Sequence, residues 1–394
     1  MALDRSLRVC ILIVASSVHC GSRTEIADTM SARAAPIDAG RSRDASSLDA
    51  FSSDAVPLDA PAVDASACVP APAGGITIAT LPDTVISVAL AVAAGTVYVG
   101  TAANGDAGAL YVGAVSRVPA LGGPSAPIPA PAFNFGALAS DGARLYYAQT
   151  SGRSEGPGSA IYQVVGVASI NLATDAVQPI ATLSSPWSTS SNPNSTMIAA
   201  TTAYPGVFWI GGGQGAQGAS TLSAWSSTTK TVTTLATGQS LSGLAVDATG
   251  VYWADSGGDQ GITVYRGPLG GGAPTTLVNV PGGTHGVLLG VSTTDVIFVS
   301  DYLTAPILAV SKTGGAARSL VTATSAWVNA FAWVDDLYLY WIEPTGPSTL
   351  QRVPVAGGPV EVVPTQGQVQ SLAFDACNVY IGSQGLAQVV ALPK

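Results

Sequence analysis

Short apolar runs separated by turn residues recur along the chain from about residue 75 onward. The clearest unit, residues 241–278, reads LSGLAVDATGVYWADSGGDQGITVYRGPLGGGAPTTLV. It contains a short apolar strand, a tight turn, a second strand around Tyr252-Trp253, a Gly-rich loop, a third strand, a Gly pair and a fourth strand. Because β-branched and aromatic runs bounded by Gly, Asp and Asn are typical of strands joined by turns, this unit predicts a four-stranded antiparallel sheet.

The second-strand pattern recurs, which gives the chain a period. Seven copies are found: TVYVG at Tyr98, RLYYA at Tyr146, GVFWI at Phe208, GVYWA at Tyr252, DVIFV at Ile297, YLYWI at Tyr340 and NVYIG at Tyr380. Their successive spacings are 48, 62, 44, 45, 43 and 40 residues. A period of about 40–50 residues with four strands per copy is typical of propeller blades. The sequence therefore predicts an all-β, seven-bladed β-propeller, with six or eight blades as alternatives if the 62-residue unit is divided differently.

The two ends of this repeat region complement each other. Several copies carry a Gly pair before the fourth strand, at residues 122–123, 271–272, 314–315 and 357–358. The last copy, from residue 371, has no such pair and no fourth strand, whereas Gly74-Gly75 and the residues 76–81 that follow match 355–364. We therefore expect an N-terminal strand to complete the last blade, which removes the open edge of the ring.

The first 20 residues predict an export signal. Arg5 and Arg8 precede an apolar stretch that runs to about Val18, too short to span a bilayer. Cys20 follows, and its context resembles a bacterial lipoprotein signal, in which this cysteine is lipidated. Ser17 and His19 stand where that signal normally has Leu and Gly or Ala. The alternatives are a lipid anchor on Cys20 and ordinary signal cleavage with Cys20 unmodified.

Residues 21–68 predict a solvated tether, and residues 69–394 the propeller. Asp-Ala pairs recur through the tether at Asp38, Asp44, Asp49, Asp54, Asp59 and Asp64. The residues between them are too sparsely apolar to bury a face, and a calcium-binding repeat would need turn glycines and clustered oxygen ligands. Flexible coil of this length spans on the order of 40 Å.

Composition excludes several classes of protein. With 45 Gly and 26 Pro the chain has too many helix breakers for a coiled coil or helical bundle. Its net charge is −9, from 15 Lys and Arg against 24 Asp and Glu, which argues against a nucleic-acid partner or an anionic membrane surface. Only 10% of its residues are charged, and an uncharged polar exterior is typical of exported proteins.

The unit at residues 241–278 resembles the YWTD repeats of the low-density lipoprotein receptor family and, more broadly, NHL- and TolB-like propellers. Tyr252, Trp253 and Asp255 match the YWTD motif, with Ala254 in place of Thr, and the other copies match the aromatic pair and the spacing. This resemblance implies a protein-binding or structural module without catalysis.

The order of strands in a blade assigns each connector to one side of the ring. Connectors from first to second and from third to fourth strands share one side. Cys377 lies in a first-to-second connector of the last blade, and Cys68 precedes the strand that completes that blade. We therefore predict a Cys68–Cys377 disulfide, in keeping with an oxidising compartment. It would close a loop of some 300 residues, which loop-entropy models value at on the order of 5 kcal/mol.

The opposite side collects the candidate binding residues. Trp187, Trp327 and His285 are predicted in connectors between blades, and Asp255, Asp301 and Glu343 follow second strands. Together they predict a platform for a glycan or a peptide, since Trp supplies contact area and a donor. The alternative is structural: the acids cap turns and the tryptophans pack between blades. Asp247 is predicted to cap its turn.

Catalysis is the weaker hypothesis. His19 and His285 are the two histidines, and export would leave only His285, so a His-rich metal site is excluded. His285 with Glu343 is the one pair that resembles the site of propeller lyases such as streptogramin lyase, which use His, Glu and Mg²⁺. The sequence thus favours a monomeric, non-catalytic, exported module that binds a protein or a glycan. No cofactor or metal motif is found, and calcium in the channel has no motif of its own.

Overall fold

The computed structural model describes residues 68–394, except for 83–84, 104–111, 130–133, 155–159, 190–197, 213–219, 258–260, 283–285, 302–305, 323–331, 344–348, 366 and 385. The predicted export signal, Cys20 and nearly all of the predicted tether lie outside the described residues. In the described part the chain forms seven antiparallel sheets of four strands. That part contains no helix long and apolar enough to cross a membrane.

The strands follow one another in chain order, and each blade takes four of them. The first strand is β1 (Ile76–Thr80). Blade 1 contains β2 (Val85–Ala93), β3 (Thr96–Ala103), β4 (Val112–Pro119) and β5 (Ala126–Ile128). Blade 2 contains β6 (Asn134–Ser140), β7 (Arg144–Ser154), β8 (Ala160–Asn171) and β9 (Val177–Thr189). Blade 3 contains β10 (Ile198–Thr201), β11 (Tyr204–Gly212), β12 (Ser220–Ser226) and β13 (Val232–Gly238).

The remaining blades repeat this arrangement. Blade 4 contains β14 (Leu241–Asp247), β15 (Gly250–Asp255), β16 (Ile262–Gly267) and β17 (Thr275–Val280). Blade 5 contains β18 (Val287–Val291), β19 (Asp295–Val299), β20 (Ile307–Ser311) and β21 (Arg318–Val321). Blade 6 contains β22 (Ala332–Val334), β23 (Tyr338–Glu343), β24 (Thr349–Pro354) and β25 (Glu361–Val363). Blade 7 contains β26 (Gln368–Phe374), β27 (Asn378–Gln384) and β28 (Gln388–Pro393), and β1 is its fourth strand.

The core is a set of layers between blades. Successive residues of a strand point to opposite faces of its sheet, so each strand serves two layers. In β15, Val251 and Trp253 pack toward blade 3, whereas Tyr252 and Ala254 pack toward blade 5. Each of the seven pairs of adjacent blades shares one such apolar cluster. Every blade is therefore stabilised by two neighbours, and the ring is closed.

Closure occurs where the sequence predicts it. β1 runs antiparallel to β28, with Ile76 opposite Ala391 and Thr80 opposite Gln388. The predicted seven-bladed propeller with a shared last blade is confirmed. The 62-residue spacing between Tyr146 and Phe208 corresponds to one long blade repeat, because β7, β8 and β9 extend over 11, 12 and 13 residues.

A disulfide and a buried amide hold the entry of β1. Cys68 and Cys377, 309 residues apart in sequence, form a disulfide with Cα atoms 5.8 Å apart. The side chain of Asn378, only 1% exposed, accepts a hydrogen bond from the Ala71 amide at 2.7 Å and donates one to the Val69 carbonyl at 3.0 Å. The pairing predicted from the strand order is present in the structure.

A carboxylate and a buried tyrosine recur at the first hairpin of four blades. The pairs, five residues apart, are Asp141 and Tyr146, Asp247 and Tyr252, Asp335 and Tyr340, and Asp375 and Tyr380. In each pair one carboxylate oxygen accepts two amide hydrogen bonds from the turn that follows. Blades 3 and 5 have Phe208 and Ile297 in place of the tyrosine, and no carboxylate five residues earlier.

In two of these pairs the second carboxylate oxygen accepts a hydrogen bond from the tyrosine hydroxyl. Asp141 accepts the Tyr146 hydroxyl at 2.6 Å, and Asp375 accepts that of Tyr380 at 2.6 Å. Burial, together with the hydrogen bond to the carboxylate, raises the pKa of both tyrosines well above the usual range. The hydroxyls therefore stay protonated and donate. A buried polar group left without a partner is costly, so this pairing lets a large ring enter the core with its polar end satisfied.

We predict that replacing Asp141 by Ala lowers the free energy of unfolding by about 2–4 kcal/mol, because two turn amides and the Tyr146 hydroxyl lose their acceptor. Adding Tyr146→Phe to Asp141→Ala should restore part of that loss, since the orphaned hydroxyl is then gone. Urea unfolding followed by tryptophan fluorescence measures both effects.

Asp336→Ala is the matched control, because Asp336 accepts one exposed hydrogen bond, from Thr293, and should change stability by less than about 0.5 kcal/mol. Equal losses for Asp141→Ala and Asp336→Ala would contradict the proposed role of the pair.

Candidate binding face

The strand order gives the ring two different ends. We call the lower face the end where the first strand of each blade turns into the second and the third into the fourth. The upper face carries the connectors from second to third strand and from each blade to the next. First-to-second hairpins contain two or three residues, whereas the second-to-third connectors contain between three and eight. Variation in length is thus concentrated on the upper face, where loops carry function in many folds.

Three of the predicted site residues are described on the upper face. Asp255 is the last residue of β15, Asp301 follows β19 directly, and Glu343 is the last residue of β23. All three are half-buried. They occupy the upper ends of three consecutive blades, and in the described residues no group of three or more His, Cys, Asp or Glu side chains is placed to hold a metal ion.

The placement of Trp187 corrects the sequence prediction. It lies within β9, opposite Val164, and not in a connector between blades, because β8 and β9 continue as a long hairpin beyond the length of the other sheets. Trp327 and His285 lie outside the described residues, so the predicted pairing of His285 with Glu343 stays a prediction. So does the predicted platform that would unite Trp187 and Trp327 with the acids.

Asp255 makes a structural contact, in keeping with the alternative that the acids cap turns. One of its carboxylate oxygens accepts the Ser240 amide at 3.1 Å, which ties the connector between blades 3 and 4 to the end of β15. A Cβ atom at Gly238 would lie 2.5 Å from the other oxygen, so a larger residue there would displace the Asp255 carboxylate. Asp247 caps its turn as predicted, accepting the Thr249 and Gly250 amides.

The Lys and Arg side chains that the structure describes lie in the lower half of the ring, a feature that the sequence analysis missed. Eight Lys and Arg side chains are described, and all lie in lower halves of strands or in lower-face turns: Arg117, Arg144, Lys230, Arg266, Lys312, Arg318, Arg352 and Lys394. The same half contains eight described carboxylates: Asp141, Asp175, Asp247, Asp295, Asp335, Asp336, Glu361 and Asp375. The described lower half is therefore electrically balanced.

Most of these cations are neutralised in place. Ion pairs join Arg117 to Asp175, Lys312 to Asp247, Arg318 to Asp295, Arg352 to Glu361 and Lys394 to Asp335. Arg144 and Lys230 lie over the ring of Trp225, at 5.8 and 5.4 Å from its centroid. In the upper half the described charged side chains are Asp255, Asp301 and Glu343, and Arg153 lies near the upper end of β7.

The pair of Lys312 and Asp247 links blade 5 to blade 4. The two side chains are 10% and 22% exposed, and the Lys312 ammonium also lies 5.7 Å from the centroid of the Tyr252 ring. Burial alone would raise the pKa of Asp247, but hydrogen bonds from Lys312 and Thr249 outweigh it and hold the pKa below its usual value of 3.8. The carboxylate is therefore charged throughout the neutral and mildly acidic range.

No protein-family model matches the sequence, and no curated protein matches it. Solved structures do match. An acylaminoacyl peptidase from Pyrococcus horikoshii is 8% identical with a TM-score of 0.51, over 77% of this chain and 52% of that chain. A puromycin-hydrolyzing peptidase from Mycobacterium tuberculosis is 11% identical with a TM-score of 0.50, over 83% and 56%. This chain thus spans about half the length of these two peptidases.

The β-propeller domain of the Trilobed protease from Pyrococcus furiosus is 7% identical with a TM-score of 0.50, and the match covers 78% of this chain and 95% of that domain. That domain has an open velcro topology, whereas here β1 pairs with β28 and closes the ring. At such low identity these similarities show the fold alone.

We predict that Lys312→Met lowers the free energy of unfolding at pH 7 by about 1–3 kcal/mol, because Asp247 keeps its charge without its partner. A carboxyl whose pKa is lower in the folded than in the unfolded state stabilises the fold above its unfolded pKa. That contribution disappears as the pH falls through the folded pKa. The difference between wild type and variant should therefore be constant above about pH 5 and shrink below pH 4.

Urea unfolding at pH values from 7 to 2.5 measures this difference. Arg318→Met, which removes a more exposed partner (42%), is the control and should cost less than about 1 kcal/mol. A loss for Lys312→Met that does not vary with pH would show that packing of the lysine stem, not charge, holds the two blades together.

Proposed function

We propose that this chain is an exported β-propeller that binds a protein or glycan partner with its upper face and acts as a scaffold without catalysis of its own. The charge distribution carries the proposal. The described lower half has equal numbers of acids and bases, and the described carboxylates of the upper face, Asp255, Asp301 and Glu343, would attract a basic partner. The YWTD-like unit in blade 4 supports the same role.

A protein partner with a basic contact surface is the first candidate. Carboxylates at the rim of a surface mainly accelerate encounter with an oppositely charged partner. They repel anionic polysaccharides in the same way. A neutral glycan is the second candidate, and Trp187 with Trp327 supports it, because tryptophan faces are effective platforms for sugar rings.

The proposed mode of attachment fits this orientation. The described chain begins at Cys68, which is bonded to Cys377 in a lower-face hairpin of blade 7. An export signal over residues 1–20 and a lipid on Cys20 would therefore attach the ring through its lower side. The upper face would then point away from the outer membrane, toward partners in the periplasm or at the cell surface.

We expect Asp301→Asn/Glu343→Gln to slow association with a protein partner about tenfold at low salt and to flatten the dependence on ionic strength. The partner is first captured from the envelope fraction of the native host on the immobilised full chain and identified. Association of the purified partner is then measured at 20–300 mM salt (about a fourfold change in Debye length).

The lower-face variant Asp336→Asn/Glu361→Gln removes the same number of charges and is the matched control. If it slowed association as much as Asp301→Asn/Glu343→Gln, the upper face would not be the binding face. A thermal-shift screen with neutral glycans and cell-wall fragments tests the second candidate. In that screen Trp187→Ala or Trp327→Ala should abolish any rise in the unfolding midpoint.

Replacing Cys20 by Ala tests the anchor. In the native host the wild-type chain is expected in the membrane fraction and the variant in the soluble envelope fraction, because stable attachment requires the acyl chains. Equal membrane association of the two would contradict the lipid anchor and leave ordinary signal cleavage as the explanation.

A further inference from the structure

The closing strand β1 is the most lightly packed part of blade 7. It has one hydrogen-bonded neighbour, β28, and the register of that pairing shifts between Thr77 and Ala79. Ile78, 4% exposed, is its one buried side chain, and it belongs to the cluster that joins blades 7 and 1. Thr77 and Thr80 are exposed. The strand therefore depends on its backbone ladder, on Ile78 and on the partly buried Ile76 and Ala79, which pack against the same cluster.

Clefts flank β1 on both sides. One, of about 180 Å³, lies toward blade 6 and is lined by Thr77, Pro364, Thr365, Ser383 and Gln388 among others. The other, of about 220 Å³, lies toward blade 1 and is lined by residues 77–80 with Gly123 and Ser125. The physical reason is that the outer strands of the two neighbouring blades, β25 and β5, span only three residues each. They are too short to cover the faces of β1.

A disulfide and hydrogen bonds hold β1 at its start, and a hydrogen bond and the chain leading into β2 hold it at its end. At its start the Cys68–Cys377 disulfide and the Asn378 hydrogen bonds fix the chain to blade 7. At its end the Leu81 amide donates to the Ala387 carbonyl at 2.5 Å, and residues 81–84 lead directly into β2. Both cysteines are half-buried at the lower face, so solvent reaches the bond.

We propose that the edge of β28 that pairs with β1 is a redox-gated acceptor for an extended, uncharged strand. While the disulfide is intact, β1 occupies that edge. When the bond is reduced, the one remaining covalent attachment of β1 is its link to β2, only hydrogen bonds and packing hold it on β28, and a second strand of similar sequence can displace it. The partner that fits is an extended segment with a β-branched residue at the position of Ile78. The side chain at the position of Ile76 is also apolar, the others are small or polar, and the clefts on both flanks leave room for larger ones.

The chemistry of the gate is a thiol–disulfide exchange. A dithiol reductant transfers two electrons and two protons to the Cys68–Cys377 bond. The sulfur–sulfur bond breaks, two thiols form, and the reductant becomes a disulfide. The released edge of β28 then presents unpaired amide and carbonyl groups, which is the template that strand addition requires.

A labelled peptide of residues 69–82 tests the acceptor. The protein is the full chain with Cys10→Ser and Cys20→Ser, which leaves one pair of cysteines. Fluorescence anisotropy should show that the protein reduced with dithiothreitol binds the peptide at least about tenfold more tightly than the oxidised protein, because loss of one of two attachments lowers the effective concentration of β1. Cys377→Ser should bind like the reduced protein, and an Ile78→Asp peptide should not bind.

Amide hydrogen exchange supplies the second measurement. Reduction should lower protection of residues 76–80 on the order of tenfold or more, and leave β14–β16 of blade 4 unchanged. Equal peptide affinities of reduced and oxidised protein would overturn the proposal. So would a loss of protection throughout the ring on reduction, because β1 would then be no separable unit.

Discussion

Closure of the ring is the constraint on which the rest of the structure depends. Each blade buries both of its faces against neighbours, so an open junction between any two blades would expose one apolar face of each. Between blades 7 and 1 the layer includes Val88, Tyr380 and Val389, and Ile78 of β1 completes it. The chain satisfies this constraint by building blade 7 from both ends of the repeat region, with the disulfide and Asn378 holding the entry of β1.

The placement of the buried polar side chains follows from the same constraint. The second strand of a blade carries a large side chain that reaches the next layer, and a buried tyrosine is least costly there when its hydroxyl is satisfied. In blades 2 and 7 the aspartate five residues earlier accepts that hydroxyl and closes the hairpin at the same time. Cations then pair with acids across neighbouring blades, as Lys312 does with Asp247. These networks lie in the lower half, so they fix the lower hairpins.

The period, the blade count and the closure were all predictable from the sequence, because each depends on a repeated local pattern. The Cys68–Cys377 pairing was predictable too, since strand order alone assigns both residues to one hairpin end. Trp187 was misplaced because Ser, Thr and Trp are compatible with either a strand or a connector. The ion pairs had no local signal: Lys312 and Asp247 are 65 residues apart. The aspartate–tyrosine spacing, by contrast, is visible in four copies of the repeat and could have been found.

The two faces differ because different forces act on them. A hairpin of two or three residues whose amides are bonded to a carboxylate has little freedom to change, since each substitution costs a buried hydrogen bond. Connectors of up to eight residues can vary without disturbing a blade. A binding surface on this fold is therefore best placed on the upper face. Packing restricts it least there.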